Sequence, residues 1–423
     1  MNLKELFEER KNNPIWNTSY PISPADWAGY RVPHPLSFAS DKELSFYIHI
    51  PFCKHLCSFC EYTRMVCPSE EVQSKYIQTI DKEIREFVSN HLDIVLHGFD
   101  IGGGTPTALS DNNLRLLLNT FGEAKNRLEV SEDFEPSIEA TFDTITKRKA
   151  TLIASAGIHR VSLGIQSTDA DVLRENHRSN INVEMMKCTI EMLHQNDIQK
   201  VNLDMMYGLK GQTLDTLHKD LQTIKFLEPE QVTLYELRTN MIHECSHMSK
   251  EELYQAYTAL YDGLTALGYY ARFGQNTFSK NCRDMGVSSY LRSRMLEGVA
   301  YKGFGISAQS MSSHGVSYNT GKSSSNLHVL IGTDNFIEEF TYELSPQELA
   351  SKYIAIGAYS GSFSLRRLTQ ILECDANLYY RQQLEFCITE GYIEIQGDRV
   401  YVTANGFKYY GAIFSLFYSP ERK

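Results

Sequence analysis

Four of the nine cysteines lie within YIHIPFCKHLCSFCEYTRMVC, which runs from position 47 to position 67. Cys53, Cys57 and Cys60 come directly after an apolar segment and have the spacing C-x3-C-x2-C. Cysteines on one short loop can direct their sulfurs to a single object. A structural zinc ion takes four protein ligands, whereas three thiolates on a four-iron cluster leave one iron with an open coordination position. The spacing therefore favours a [4Fe-4S] cluster whose remaining ligand is a small molecule.

A zinc site is the alternative for this loop, and Cys67 or His55 would then supply the fourth ligand. An odd number of cysteines in one large chain argues against a disulfide framework. The cysteines outside the loop are scattered, and we interpret them as ordinary small core or surface residues: Cys188, Cys245, Cys282, Cys374 and Cys387.

Composition limits the class of protein. With 423 residues, 42% of them hydrophobic and 22% charged, the chain can bury a large core and exceeds one ordinary domain in length. A net charge of −11 gives no general attraction to nucleic acid or anionic lipid. The first residues, MNLKELFEERKNN, lack the apolar region of a signal peptide, and no apolar run has transmembrane length. We therefore expect a cytoplasmic protein without nucleic-acid or membrane partners.

Short apolar strands alternate with amphipathic helical segments after residue 40. One such segment, residues 72–90, places its apolar residues on a single helical face. Strands separated by helices predict an α/β fold of βα units around a parallel sheet, either open or curled into a partial barrel. The predicted strands are 46–50, 98–102, 137–141, 159–166, 200–208 and 231–237.

The region after about residue 340 has a different character. LSPQELASKYIAIGAY and DANLYYRQQLEFCITE predict helices, and YIEIQGDRVYVTANG predicts two strands that turn at Gly397 and Asp398. Helices followed by a hairpin are typical of a winged-helix-like unit. Because the chain is acidic and this stretch lacks the dense Lys/Arg face of a duplex reader, we interpret the unit as a lid packed on the main domain.

Further motifs follow the cysteine loop in order. They are GGGTPT at 102–107, SIEA at 137–140, SLGIQ at 162–166, HR at 177–178, LDMMYGLKGQT at 203–213 and GFGISAQS at 303–310. Together with the loop, these motifs resemble the radical S-adenosylmethionine (radical SAM) superfamily, in its coproporphyrinogen-oxidase-type (HemN-like) branch. The resemblance runs from near residue 18 to near residue 407.

This resemblance implies a partial (β/α)6 barrel with the cluster at its C-terminal mouth. The implied parts are an N-terminal arm (1–40), a core barrel (41–265), a region completing the cavity (266–335) and a HemN-like, winged-helix-like C-terminal domain (336–423). The resemblance also implies that S-adenosylmethionine chelates the open iron and is cleaved by one electron to a 5′-deoxyadenosyl radical. Flavodoxin or ferredoxin would supply the electron, and a small organic molecule would be the substrate.

The resemblance assigns a set of residues to S-adenosylmethionine. The glycines at 102–104 would let the backbone approach the ligand closely, and the G-x-G-x-x-G spacing of dinucleotide sites is absent. Glu139 would pair with the charged methionyl part, and Arg178 would bind the carboxylate through its guanidinium fork. The predicted contacts are Tyr47, Phe59, Tyr62, Gly103, Gly104, Thr105, Glu139, Gln166, Arg178, Asp204 and Met206.

A second S-adenosylmethionine is predicted in the same cavity, with Met206 and Glu236 in its surroundings. Tyr235 and Glu236 end a predicted strand and are the candidate catalytic residues, with Glu236 as a base or a ligand contact. The alternative for Glu236 is a surface or salt-bridged carboxylate.

The chain departs from its relatives after the third cysteine. Coproporphyrinogen III oxidases continue the loop as C-x3-C-x2-C-x-C, whereas Tyr62 stands at that position here. Heme chaperones of the branch have a GPGAHG-like turn and an HNxxYW-like stretch, whereas this chain has GFGISAQS. The closing FSLFYSPERK resembles class C radical methylases and cyclopropanases and the anaerobic heme-opening methyltransferases.

We therefore expect methyl or methylene transfer with a second S-adenosylmethionine as carbon donor. The alternatives are an oxygen-independent coproporphyrinogen-oxidase-type or heme-modifying enzyme, and a heme-binding chaperone. A tetrapyrrole with several carboxylates would need basic residues in the cavity, and the sequence offers Arg238, Arg272 and Lys280.

Overall fold

The computed structural model describes residues 2–12, 27–237, 248–321, 326–338 and 340–420. Most of its strands belong to one large mixed sheet. The first strands of the chain are β1 (Arg31–Val32), β2 (Glu43–Ile50), β3 (Phe52–Cys53), β4 (Met65–Val66), β5 (Val95–Gly103), β6 (Glu129–Val130), β7 (Ser137–Ala140), β8 (Arg160–Gln166), β9 (Lys200–Tyr207) and β10 (Gln231–Glu236). The later strands are β11 (Thr277–Ser279), β12 (Ala300–Phe304), β13 (Gln309–Ser312), β14 (Gly315–Tyr318), β15 (Thr341–Glu343), β16 (Ser362–Ser364), β17 (Ile393–Gln396) and β18 (Arg399–Val402).

Helices connect these strands and cover the sheet. The helices of the first half are α1 (Leu3–Asn12), α2 (Glu70–Asn90), α3 (Asp111–Arg127), α4 (Lys147–Ser155), α5 (Ala170–Glu175), α6 (Val183–Gln195) and α7 (Leu214–Leu227). The later helices are α8 (Lys250–Ala266), α9 (Ser289–Arg292), α10 (Leu327–Leu330), α11 (Pro346–Gly357), α12 (Leu365–Leu372), α13 (Ala376–Tyr379), α14 (Arg381–Thr389), α15 (Ala404–Phe407) and α16 (Tyr410–Ser415). None of the helices in the described ranges combines the length and the apolar composition of a transmembrane span.

The centre of the large sheet is parallel. Strands β2, β5, β7, β8, β9 and β10 lie side by side in chain order, and at least one helix separates each from the next. Strand β12 adds to the free side of β2, also in parallel. The order runs from β1 to β11 without closing on itself, as in a partial barrel. The predicted α/β fold and all six predicted strands are therefore confirmed.

Antiparallel strands extend both edges of this parallel core. Strands β13, β14, β15 and β1 follow β12, and β11 pairs with β10. One sheet thus joins all four segments of the predicted domain division, whose boundaries stay a prediction.

The C-terminal region has its own three-stranded sheet in the order β16, β18, β17. The predicted hairpin is present, and Gly397 at its turn has a φ of 61°, which glycine adopts without strain. Strand β16 was not predicted, because its three residues, SFS, carry no periodic signal.

Helix α2 fixes the end of β2, where the cysteine loop begins. The buried Tyr76 hydroxyl donates to the His49 carbonyl at 2.7 Å and accepts from the Ile306 amide at 3.0 Å. One side chain thus joins the end of the first parallel strand to the GFGISAQS segment.

Candidate active site

A cavity of about 450 Å³ extends from the C-terminal ends of the parallel strands into the half-barrel. This volume is typical of sites for small organic ligands. The predicted site residues that line it are Cys53, Cys57, Phe59, Cys60, Tyr62, Gly103, Gly104, Thr105, Glu139, Gln166, Arg178, Asp204, Met206, Tyr235 and Glu236.

Tyr47 is the predicted site residue that does not line the cavity. Its ring stacks on Tyr290 with centroids 5.6 Å apart, and its hydroxyl lies 3.4 Å from Nδ1 of His49. Its predicted contact with S-adenosylmethionine stays a prediction.

The cysteine loop is held between two short parallel strands. Strand β3, which ends at Cys53, pairs with β4, and the Thr105 amide donates to the Phe52 carbonyl at 2.7 Å. Cys53 and Cys57 are each only 8% exposed. Burial raises the pKa of the Cys53 thiol to about 11 and also raises the pKa of Cys60. These thiols must therefore lose protons when they bind iron.

The arrangement of ligands fits a cluster better than a single ion. In the ranges that the structure describes, no three His, Cys, Asp or Glu side chains gather closely enough to hold one metal ion. A cubane needs no such close group, because each thiolate binds a different iron.

Cys67 takes no part in the cavity lining. Its thiol donates to the Ala108 carbonyl at 3.5 Å and accepts from the Gln73 side-chain amide at 3.4 Å. His55 does line the cavity, and its Nε2 lies 3.8 Å from Asp143. The zinc alternative that used Cys67 therefore has no support in the geometry.

At the three glycines of GGGTPT, neighbouring protein atoms leave no space for a side chain. An added Cβ at Gly102 would lie 2.6 Å from the Glu139 carboxylate, and one at Gly103 would lie 2.3 Å from the His49 ring. At Gly104 it would lie 2.8 Å from the Ile50 carbonyl oxygen. We expected these glycines to make room for a ligand, and the structure shows that they first make room for neighbouring side chains and the cysteine loop.

Glu139 and Asp204 bring two carboxylates into the cavity. The Gly103 amide donates to Glu139 at 2.9 Å, and Asp204 accepts from Ser162 at 2.8 Å and from the Asn202 amide at 2.9 Å. Desolvation raises the pKa of Glu139 to about 7, with a further rise from the neighbouring Asp204. Desolvation also raises the pKa of Asp204. Ionised, this pair attracts cationic or hydroxyl-bearing ligand groups.

Gln166 and Arg178 come from the end of β8 and the loop after α5. Gln166 has a φ of 63°, and the register of β8 on β9 shifts between Gly164 and Gln166. Its Oε1 is buried without a hydrogen-bond partner in the described structure. Arg178 donates to the Gly164 carbonyl, and its Nη1 lies 3.4 Å from the Cys57 sulfur. Strained backbone and an unsatisfied amide oxygen are features of ligand sites.

Tyr235, Glu236 and Met206 lie at the ends of β10 and β9. Glu236 accepts from the hydroxyls of Tyr207 and Tyr410, each at 3.3 Å. Glu236 therefore lies in the cavity, held by two phenols, and is not the surface carboxylate of the alternative interpretation.

The cavity also contains charged residues that the sequence analysis missed. Asp100 has a pKa raised to about 7 by burial, and Arg160 donates to Ser137 at 2.7 Å. Both could have been found by strand alternation, because Asp100 is two residues before Gly102 and Arg160 two before Ser162. Arg294 lies outside the motifs and gave no signal in the sequence.

The basic residues suggested for a tetrapyrrole are elsewhere. Arg272 donates to Gln396 at 2.8 Å and pairs with Glu394, and Lys280 donates to the Glu228 carbonyl at 3.0 Å. Neither lines the cavity. Arg238 lies outside the described residues. The sequence left these residues unplaced, and the arginines that line the cavity are Arg64, Arg160, Arg178 and Arg294.

Comparison with known proteins identifies the fold and the cysteine loop. The radical SAM superfamily model matches residues 47–224, which contain the cysteine loop and the strands β5 to β9. The chain therefore contains a radical SAM domain. The solved structure of coproporphyrinogen III oxidase (HemN) from Escherichia coli, a radical SAM enzyme, has a similar fold, with a TM-score of 0.73 and 19% sequence identity. The match covers 95% of this chain and 96% of the HemN chain. The shared fold confirms the HemN-like architecture.

Curated relatives support the same branch. The heme chaperone HemW of Bacillus subtilis is 31% identical over 194 residues, which are 46% of this chain and 50% of the relative. The oxygen-independent coproporphyrinogen III oxidase of Pseudomonas aeruginosa is 31% identical over 198 residues, 45% of this chain and 42% of the relative. The chain thus spans about half the length of the curated relatives it matches. A radical SAM domain implies a [4Fe-4S] cluster and S-adenosylmethionine as cofactors.

Proposed function

We propose that this radical SAM protein is an enzyme that modifies a tetrapyrrole. The observation that carries the proposal is one cavity lined by the three loop cysteines together with Glu139, Asp204 and Arg178. When bound, the cluster and S-adenosylmethionine would supply radical chemistry for hydrogen abstraction from a substrate carbon.

The chain's own residues have separate tasks in this proposal. Cys53, Cys57 and Cys60 would hold three irons of the cluster as thiolates. Glu139 and Asp204 accept hydrogen bonds from the ammonium or hydroxyl groups of S-adenosylmethionine. Beyond its Gly164 and Cys57 contacts, the Arg178 guanidinium has further N–H groups, which are suited to a carboxylate.

Several groups in the cavity serve orientation rather than bond making. Gln166 presents an unpartnered amide oxygen, and we assign it to a ligand hydroxyl. Met206 and Phe59 pack with Val172, Leu209 and Leu237 and form an apolar wall that excludes water. Excluding water protects a reactive carbon radical from side reactions.

The tetrapyrrole assignment draws on the relatives, which are named as heme chaperones and coproporphyrinogen oxidases. These names support our oxidase-type and chaperone alternatives better than methyl or methylene transfer. We therefore place oxidation or another modification of a tetrapyrrole first, with carbon transfer and heme storage as outcomes that the experiment separates.

The deciding experiment incubates anaerobically reconstituted protein with dithionite and S-adenosylmethionine and measures 5′-deoxyadenosine and S-adenosylhomocysteine. We expect 5′-deoxyadenosine, and its loss in Cys53→Ala but not in the matched variant Cys67→Ala. S-adenosylhomocysteine in equal amount, with two bound S-adenosylmethionine molecules per chain, would replace oxidation by carbon transfer. Tight heme binding with neither product would establish the chaperone instead.

A further inference from the structure

Arg294 lies on an unusual turn at the wall of the cavity. It belongs to a π-helical turn, Ser293–Glu297, that follows α9. Such turns are rare and occur frequently at functional sites, because the wider turn redirects side chains. The cavity wall around Arg294 is mostly apolar and includes Leu291, Met295, Ile356 and Tyr359.

Within the described residues, the guanidinium of Arg294 has neutral partners. Its Nη1 lies 3.4 Å from the Tyr290 hydroxyl, and its Nη2 lies 3.3 Å from Oε1 of Gln309. Its central carbon is 4.5 Å from the centroid of the Tyr301 ring, a cation–π distance. Its Nε has no hydrogen-bond partner, and no ion pair joins Arg294 to a carboxylate in the part of the chain that the structure describes.

These neighbours fix the guanidinium firmly. The Gln309 oxygen also accepts from the Tyr301 hydroxyl, and the Gln309 amide donates to Tyr318 at 2.5 Å. The side chain of Arg294 is thus stacked on one tyrosine and bonded to an amide that is itself held at both ends. A guanidinium immobilised in this way is prepared to bind a planar anion without further loss of side-chain entropy.

Arg160, a second arginine of the cavity, differs in its surroundings. Arg160 lies close enough to Asp100, Glu139 and Asp204 for its charge to oppose the rise in the pKa of all three. Its charge is therefore balanced by the protein. Arg294 is always ionised, like any arginine, and a cation in a desolvated site without a carboxylate is costly. No carboxylate of the described residues supplies an anion there, so we assign that role to the ligand.

We propose that Arg294 binds a carboxylate of the substrate. The inference rests on the proposed function, and it narrows the substrate to a tetrapyrrole that carries carboxylate side chains. Tyr62 is a neighbour of this site, since its phenol and the Arg294 guanidinium interact electrostatically. Tyr62 follows the third cysteine by two residues, so a carboxylate at Arg294 holds the substrate on the cluster side of the cavity.

The test compares a tetracarboxylate porphyrin, coproporphyrin III, with its uncharged tetramethyl ester, by fluorescence titration of the reconstituted protein. We expect the acid to bind at least about tenfold more tightly than the ester, as for one charge-assisted pair. In Arg294→Gln this preference disappears while the affinity for the ester is unchanged, and Arg294→Lys retains part of it. Iron content and circular dichroism report whether each variant is folded.

Arg292→Gln is the matched control. Arg292 lies two residues earlier, pairs with Asp133 and Glu297, and does not line the cavity. Its replacement should leave both affinities unchanged.

Three results would overturn the carboxylate site: equal binding of acid and ester by the native protein, an equal loss of both in Arg294→Gln, or no binding of either porphyrin. If 5′-deoxyadenosine still forms in those preparations, the proposed radical chemistry stands without this site. If the protein binds the acid through Arg294 but forms no 5′-deoxyadenosine, the carboxylate site is supported and the proposed enzymatic function is wrong.

Discussion

The hydroxyl of Tyr410 lies 3.3 Å from Oε2 of Glu236, so helix α16 of the C-terminal region bonds directly to the end of strand β10 inside the cavity. Phe407 stacks on Tyr410 at an interplanar angle of 9° and also packs on Tyr257 of α8. The C-terminal region is therefore part of the cavity wall, as a lid would be.

Tyr410→Phe should weaken this attachment while keeping the ring stack. We expect a loss of about 1 kcal/mol in the free energy of unfolding, because one hydrogen bond to a carboxylate at long distance is removed. Urea denaturation measures it. A double-mutant cycle with Glu236→Gln should show coupling between the two positions, and strictly additive effects would show that the bond contributes nothing.

Single alanine replacements of Cys53, Cys57 and Cys60 should each abolish stable cluster binding. Reconstituted native protein should contain about four irons and four sulfides per chain. Cys67→Ala should retain them, because the Cys67 thiol is bonded to Ala108 and Gln73. Iron analysis and the visible absorption spectrum measure how much cluster each variant contains. Loss of the cluster in Cys67→Ala would instead indicate a site with four cysteine ligands.

The affinity for S-adenosylmethionine should rise with pH around neutrality. The pKa of Glu139 is raised to about 7, so its carboxyl is largely protonated at pH 6 and largely ionised at pH 8. Because the ligand ammonium requires the ionised form, the affinity should increase roughly tenfold over this range. Equilibrium dialysis measures the profile. Glu139→Gln should bind weakly and give a flat profile, and an unchanged slope in that variant would assign the titration to another group.

Gly103→Ala should destabilise the protein strongly. Gly103 has a φ of 111°, and an added Cβ would lie 2.3 Å from the His49 ring, so we expect a loss of about 2 kcal/mol or more. Gly122→Ala on α3 is the matched control, since nothing lies within 4 Å of its added Cβ, and it should stabilise by about 0.5–1 kcal/mol. Urea denaturation compares the two, and equal effects would contradict the packing argument.

The parallel strands could be predicted because they are short apolar runs between amphipathic helices. The predicted strands also made it possible to predict that Glu139, Gln166 and Asp204 lie close together. All three are at or near the C-terminal ends of neighbouring parallel strands. These features depend on local pattern and on the geometry of one kind of sheet.

Other features depend on contacts between distant segments and could not be predicted. The position of Arg294 is set by a π-helical turn and by Gln309 and Tyr301 on β13 and β12. The isolation of Cys67 depends on Gln73 of α2. The role of Gly103 was misjudged because His49, which occupies the space, is on another strand.

The pairing of β12 with β2 has a consequence for synthesis. Strand β2 is complete at Ile50, yet the strand that covers its outer edge is not made until Phe304. While the chain grows on the ribosome, the β2 edge exposes unpaired amide and carbonyl groups of an apolar strand, which is a template for wrong pairing with other chains. The late β12 strand is thus the step that removes this hazard, and a nascent chain stalled before it should aggregate.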